Sequence, residues 1–277
     1  MQYLLIISCV HLIIFIKFVI YLYECSLIDN QQYILGYRLF NHILSMINAD
    51  NNMATTFSDE MKQYSIEIWR EILNHKFIIE LSKGTLPFNK FLFYLKQDHY
   101  FLQEFAKLFQ SAIQKTTDTT MKKWLERLYK STVNFEMGMQ RQMLYKLLSS
   151  NSINNDTKQQ SFSPSKTTLD YIAYLMDILS NDTFAEMVSA IAPCPWTYLE
   201  ISQLLSKFPI ENEIYRNWVQ FYCSTESHKQ VDEIKQVLNI LSKSKNEKHK
   251  EVMKEHFSCA CKYEYLFWEM SYNLGNI

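Results

Sequence analysis

The chain has 277 residues, 48% of them hydrophobic and 15% aromatic, with a formal net charge of −1. Its length suits one large domain or two small ones, and its charge balance supplies no basic field, so no nucleic-acid partner is expected. Four scattered glycines (Gly36, Gly84, Gly138, Gly275) and five prolines exclude a glycine-rich phosphate loop and are too few for the turns of a sheet protein, so long helices are predicted.

Residues 1–23 (MQYLLIISCVHLIIFIKFVIYLY) form an apolar run interrupted by His11 and Lys17. The run has two readings. One is a secretory signal, signal anchor or membrane helix; the other is a gene-model artefact upstream of a true start at Met53. The run has no Lys or Arg at its front and no small-x-small cleavage site, and residues 24–55 have the texture of a linker. Residues 1–55 are therefore set apart from a domain over 56–277. The expected location is cytoplasmic, with a membrane as partner only if the N-terminal segment is genuine.

From Thr56 the pattern becomes helical. Thr56-Phe-Ser-Asp has the composition of an N-cap, and Ile66, Trp69 and Leu73 mark an apolar helix face. Gly84 to Pro87 is a turn, with Pro87 suited to a first helical position. A long amphipathic helix then runs to about Gln114, and another from about Thr120 to Leu148. The Ser/Asn-rich stretch 149–168 is a surface loop. Helical patterns resume at about 169–181, 183–206, 211–223, 227–243 and 247–273, with Pro193 and Pro195 breaking or kinking the second of these. The fold class is an all-α helical bundle.

Two carboxylates interrupt apolar helix faces. Asp98 shares its face with Tyr94, Leu95, Phe101, Leu102 and Phe105; Glu264 shares its face with Phe257, Ala260, Cys261, Phe267 and Trp268. A bare buried charge is costly, so such groups are paired, protonated or functional. The six cysteines (Cys9, Cys25, Cys194, Cys223, Cys259, Cys261) have no C-x-x-C motif and read as reduced thiols. Cys194 lies between two prolines at a helix break, where free amides and a helix N-terminus are expected to lower its pKa. Cys223 is a possible neighbour of Cys194. Cys259 and Cys261 are read as helix packing, and the seven histidines form no convincing ligand set, so no metal and no cofactor are expected. His75 is read as structural.

Four ordered blocks carry a family resemblance: GTLPFNKFLFYLKQDHYFLQEFAK (84–107), FAEMVSAIAPCPWTYLEI (184–201), IYRNWVQFYCS (214–224) and KYEYLFWEMSY (262–272). Over roughly 57–274 the chain resembles the TenA/thiaminase II family. The resemblance implies a haem-oxygenase-like helical bundle without haem, commonly homotetrameric. It also implies hydrolysis of 4-amino-5-aminomethyl-2-methylpyrimidine, and in many members of thiamine, to 4-amino-5-hydroxymethyl-2-methylpyrimidine for salvage. It assigns Cys194 as nucleophile and Glu264 as the acid/base that protonates a ring nitrogen. Asp98 is the contact to the pyrimidine amino group, and Phe101, Tyr171, Tyr198 and Tyr222 are pocket aromatics. Phe101 stands where the bacterial type enzyme has tyrosine, Pro195 where an aromatic or aliphatic residue is commoner, and Cys223 where glycine is frequent. The competing readings are a non-catalytic pyrimidine-binding protein and an oxidoreductase of the same fold. Which residues meet the leaving group is not legible in the sequence.

Overall fold

Helix starts are fixed by side chains that satisfy otherwise unpaired amides, and they divide the chain into its elements. The computed structural model describes residues 55–149 and 162–276; the apolar run at 1–23 and most of the 149–168 loop lie outside the described residues. The first helix, α1 (Phe57–Tyr64), opens on a capping box between Thr56 and Asp59. It is followed by α2 (Ile66–Leu73) and α3 (Lys76–Ser82). His75 is not inside a helix but caps α3, its Nδ1 accepting the Phe77 amide at 3.1 Å. After the Gly84 turn comes α4 (Phe88–Lys115), with Pro87 one place earlier than expected, at the N-cap. Gly84 itself sits at φ +68°, a backbone state that disfavours a side chain.

The helix expected over 120–148 is present as one helical run with a π-helical segment inside it. It comprises α5 (Thr119–Lys130), a π-helical turn over Ser131–Glu136, and α6 (Met137–Ser149). A π turn closes its hydrogen bonds one residue later than an α turn, so it widens the helix and resets which face the following residues present. The remaining elements are α7 (Lys166–Asn181), α8 (Phe184–Ile191), α9 (Pro193–Leu205), α10 (Glu213–Tyr222), α11 (Thr225–Ser242) and α12 (Glu247–Tyr272). The break between α8 and α9 falls at Ala192, immediately before Pro193, because proline cannot donate the bond that would continue α8.

Two long helices organise the bundle. α12 packs against α2, α4, α8, α7 and α9, while α4 also packs against α5, α6 and the π turn. Their inner faces carry the residues anticipated from the pattern: Tyr94, Leu95, Phe101, Leu102 and Phe105 on α4, and Phe257, Ala260, Cys261, Phe267 and Trp268 on α12, all buried. Trp69, Trp196, Trp218 and Trp268 are also fully enclosed. Each such aromatic contributes about 2–3 kcal/mol by leaving water, and the rigid rings fix the distance between the helices that carry the polar groups. No helix among the described residues is long and apolar enough to cross a membrane.

Candidate active site

Two buried carboxylic acids, Asp98 and Glu264, a half-buried one, Glu136, and one thiol meet where α4, the π turn, α9 and α12 converge. Asp98 is 5% exposed and accepts two bonds on Oδ2, from the Tyr94 hydroxyl at 3.1 Å and from Gln140 Nε2. The Tyr94 oxygen in turn accepts the Trp218 indole N–H at 3.1 Å, which fixes the hydroxyl proton toward Asp98. Both bonds to Asp98 end on one oxygen, Oδ2. Burial, with added repulsion from Glu136 and Glu264, pushes Asp98 well above the usual carboxylate range despite the bonds it accepts.

Glu264, 3% exposed, accepts the Tyr171 hydroxyl at 2.8 Å on Oε1. The Cys194 thiol is near enough to feel its charge. Burial outweighs the bond from Tyr171 and the influence of the thiol and raises the Glu264 pKa to about 7. Glu136 repeats the arrangement: it accepts the Tyr222 hydroxyl at 2.8 Å, and burial raises it to about 7. Each acid thus receives one tyrosine O–H. Nothing that shifts Glu136 or Glu264 is a lysine or arginine.

Cys194 differs from expectation. Burial pushes its thiol well above the ordinary value, and Glu264, Glu136 and Asp98 push it in the same direction. The helix N-terminus does not compensate, because Pro193 and Pro195 remove two amide donors from the first turn of α9. All of these influences favour the protonated thiol. Cys194 and Cys223 are both free thiols. Cys223 does not line the cavity at Cys194. Among the described residues, no group of three or more His, Cys, Asp or Glu side chains is placed to hold a metal ion.

A cavity of about 510 Å³ opens onto this cluster. Cys194, Tyr198, Tyr222 and Glu136 line it together with Leu102 and Phe105; Arg127, Lys130, Glu226, Lys229 and Glu233 complete it where the walls reach solvent. The Tyr198 ring sits 4.9 Å from that of Tyr222 and 5.3 Å from that of Trp268. Asp98, Glu264, Phe101 and Tyr171 stand behind this lining. Tyr171 is stacked on Tyr263, with centroids 4.9 Å apart and planes 4° apart, and lies 5.0 Å from Phe101. Those two aromatics hold the Glu264 partner in place rather than forming the cavity surface.

Glu136 and Gln140 are absent from the sequence-derived site, yet they carry the signal that marks Asp98 and Glu264. Leu125, Leu128, Thr132, Gln140, Met143 and Leu147 recur at three- and four-residue spacing and are all buried, and Glu136 falls in the same stripe.

The sequence model of the TENA/THI-4/PQQC family matches residues 63–274. The aminopyrimidine aminohydrolase of Halalkalibacterium halodurans is 28% identical over 221 residues, 79% of this chain and 96% of that protein. The aminopyrimidine aminohydrolase of Bacillus subtilis is 30% identical over 218 residues, 78% of this chain and 89% of that protein. Among solved structures, a TenA homologue from Pyrococcus furiosus superposes with a TM-score of 0.70 at 23% identity, covering 78% of this chain and 99% of that one. The likeness in structure extends to the all-α fold.

Proposed function

The chain belongs to the TENA/THI-4/PQQC family, and from that premise we propose that it is an aminopyrimidine aminohydrolase with Cys194 as nucleophile and Glu264 as acid/base. The observation that carries this reading is the Cys194 thiol on the wall of a cavity of about 510 Å³, beside the buried Glu264 whose pKa burial raises to about 7. The substrate is 4-amino-5-aminomethyl-2-methylpyrimidine, and thiamine shares its pyrimidine half. The product is the 5-hydroxymethyl pyrimidine.

Asp98 supports the orientation of the ring, since its Oδ1 can accept the exocyclic amino group while Tyr94 and Gln140 hold Oδ2. Tyr198 and Tyr222 supply flat walls for a heterocycle, and Phe101 and Tyr171 back the acid/base. The raised thiol pKa argues against a standing thiolate. As sulfur adds to an electron-poor ring carbon, the thiol proton passes to Glu264 and from there to a ring nitrogen, so charge never accumulates on either group. A glutamate near pKa 7 is matched to that exchange. Addition loosens the bond at the 5-methylene; water then replaces the leaving group, and sulfur departs.

On the same reading, residues 56–277 form the catalytic domain, the protein is a cytoplasmic homotetramer, and no bound cofactor takes part. The test is turnover by the full chain on the aminomethyl pyrimidine and on thiamine, followed as release of pyrimidine alcohol, with Cys194→Ser beside it. Product that disappears in the variant supports the reading. Equal turnover by the variant removes the thiol from the chemistry, and binding without turnover in the wild type favours a pyrimidine-binding protein.

A further inference from the structure

Hydrolysis at the 5-methylene requires a place for the group that leaves, and both substrates carry positive charge there: an ammonium in the aminomethyl pyrimidine, a thiazolium in thiamine. Of the three acids, Asp98 is held by Tyr94 and Gln140, and Glu264 accepts from Tyr171. Neither is among the residues that line the cavity, whereas Glu136 is one of them. It lines the cavity with Cys194, keeps part of its surface accessible there, and is held by one bond, from Tyr222 to Oε1 at 2.8 Å.

Glu136 is the last residue of the π turn, and such turns often occur at functional sites. The cations of the cavity lining do not neutralise it. Arg127 is itself paired with Glu233 at 3.1 Å, and Lys130 and Lys229 are exposed to solvent.

We propose that Glu136 is the specificity-determining residue for the leaving group, its carboxylate receiving the positively charged nitrogen attached to the 5-methylene. The inference rests on the aminohydrolase reading above and assigns the part of the substrate that reading leaves without a partner. In the reaction the C–N bond breaks with its electron pair remaining on nitrogen, water supplies the oxygen of the new C–O bond, and the proton released by water ends on the departing ammonia. Charge is unchanged across the step: a cationic amine and water give a neutral alcohol and ammonium. Glu136 keeps the positive charge paired while the nitrogen is still bonded and as it leaves.

The experiment compares Glu136→Gln with Glu136 in a Cys194→Ser background, where no turnover interferes, by calorimetric titration with the aminomethyl pyrimidine and with the hydroxymethyl pyrimidine. Affinity for the cationic compound is expected to fall about tenfold or more relative to the neutral alcohol, the size of one lost charged hydrogen bond. Equal losses for both ligands, or no loss for either, overturn the assignment. Unaltered binding of the alcohol also reports that the variant is folded. In parallel, turnover on the aminomethyl pyrimidine is expected to fall much further in Glu136→Gln than turnover on a 5-(4-nitrophenoxymethyl) analogue, whose leaving group carries no positive charge. A wild type that binds the ligands differentially yet turns over none of them refutes the aminohydrolase reading and leaves the charge-recognition result standing.

Discussion

Glu264 and Glu269 stand five residues apart on α12 and occupy opposite electrostatic situations. Glu269 is 34% exposed at its side chain, and it accepts from Tyr265 at 3.1 Å and Asn273 at 2.8 Å while His75 Nε2 lies 3.3 Å away. Burial alone would raise its pKa, but the bonds from Tyr265 and His75 outweigh that and hold it below the ordinary value. Glu264 is 3% exposed, has no cation beside it, and rises to about 7. One helix therefore presents a carboxylate that stays ionised and ties α12 to the start of α3, and another that can carry a proton at neutral pH. The difference lies in solvent and partners, not in residue type. A proton-exchanging acid is made by withholding water, whereas a structural one is made by leaving it partly solvated and supplying several hydrogen-bond donors.

The sharpest way to break this comparison is to remove the thiol that faces the protonatable member. Cys194→Ser is expected to lower turnover about a thousandfold or more while pyrimidine binding persists, because serine is a far weaker nucleophile in the same shape. Steady-state rates beside calorimetric affinities decide it, and a residual rate near wild type would return the thiol to a packing role.

Next in size, Glu264→Gln is expected to reduce turnover about a hundredfold to ten-thousandfold, the usual contribution of a positioned acid/base. Glu269→Gln should remain within about twofold, since a residue remote from the chemistry contributes little to the barrier. Equal effects in the pair would erase the distinction between the two glutamates. Asp98→Ala is expected to weaken binding of the pyrimidine alcohol about tenfold or more, and unchanged affinity would take Asp98 out of the pocket.

The smallest effects concern stability, and their signs are opposite. Glu264 has a folded-state pKa raised from 4.5 to about 7, so the native protein binds its proton more tightly than the unfolded chain does. The associated stability is fully present below pH 4.5 and is lost as pH rises through 7, amounting to on the order of 3 kcal/mol. Relative to wild type, Glu264→Gln should therefore gain thermal stability between pH 5 and pH 8. Glu269 has a depressed pKa, so its contribution is present above the unfolded value and fades as pH falls. The Tm deficit of Glu269→Gln should accordingly be largest at neutral pH and shrink toward acid. Melting curves of both variants at pH 5 and pH 8 test the two slopes together, and parallel slopes would mean the two environments are not distinct.

Much of the site was legible because it obeys helix periodicity. Asp98 and Glu264 interrupt apolar stripes on α4 and α12, and both are buried where the stripes predicted. The break before Pro193 was legible for the same local reason: a missing N–H ends a helix wherever it falls. The thiol's electrostatics were not. A helix N-terminus suggested a lowered pKa, but burial raises it, and the three acids drawn in from α4, the π turn and α12 push the same way; no stretch of sequence around Cys194 contains either influence. Glu136 sat in a readable stripe, yet its meaning depended on a π turn that no composition signal marks.

By itself the sequence determined the helices, their inward faces and the residue types that chemistry needs, because those follow from backbone hydrogen bonding and a 3.6-residue repeat. Only the tertiary structure decided which acid faces the cavity, which is fully buried beside the thiol and which is kept ionised. Burial and through-space charge act over distances set by how helices pack, and residues 98, 136, 194 and 264 become neighbours only once the aromatic core has fixed those distances.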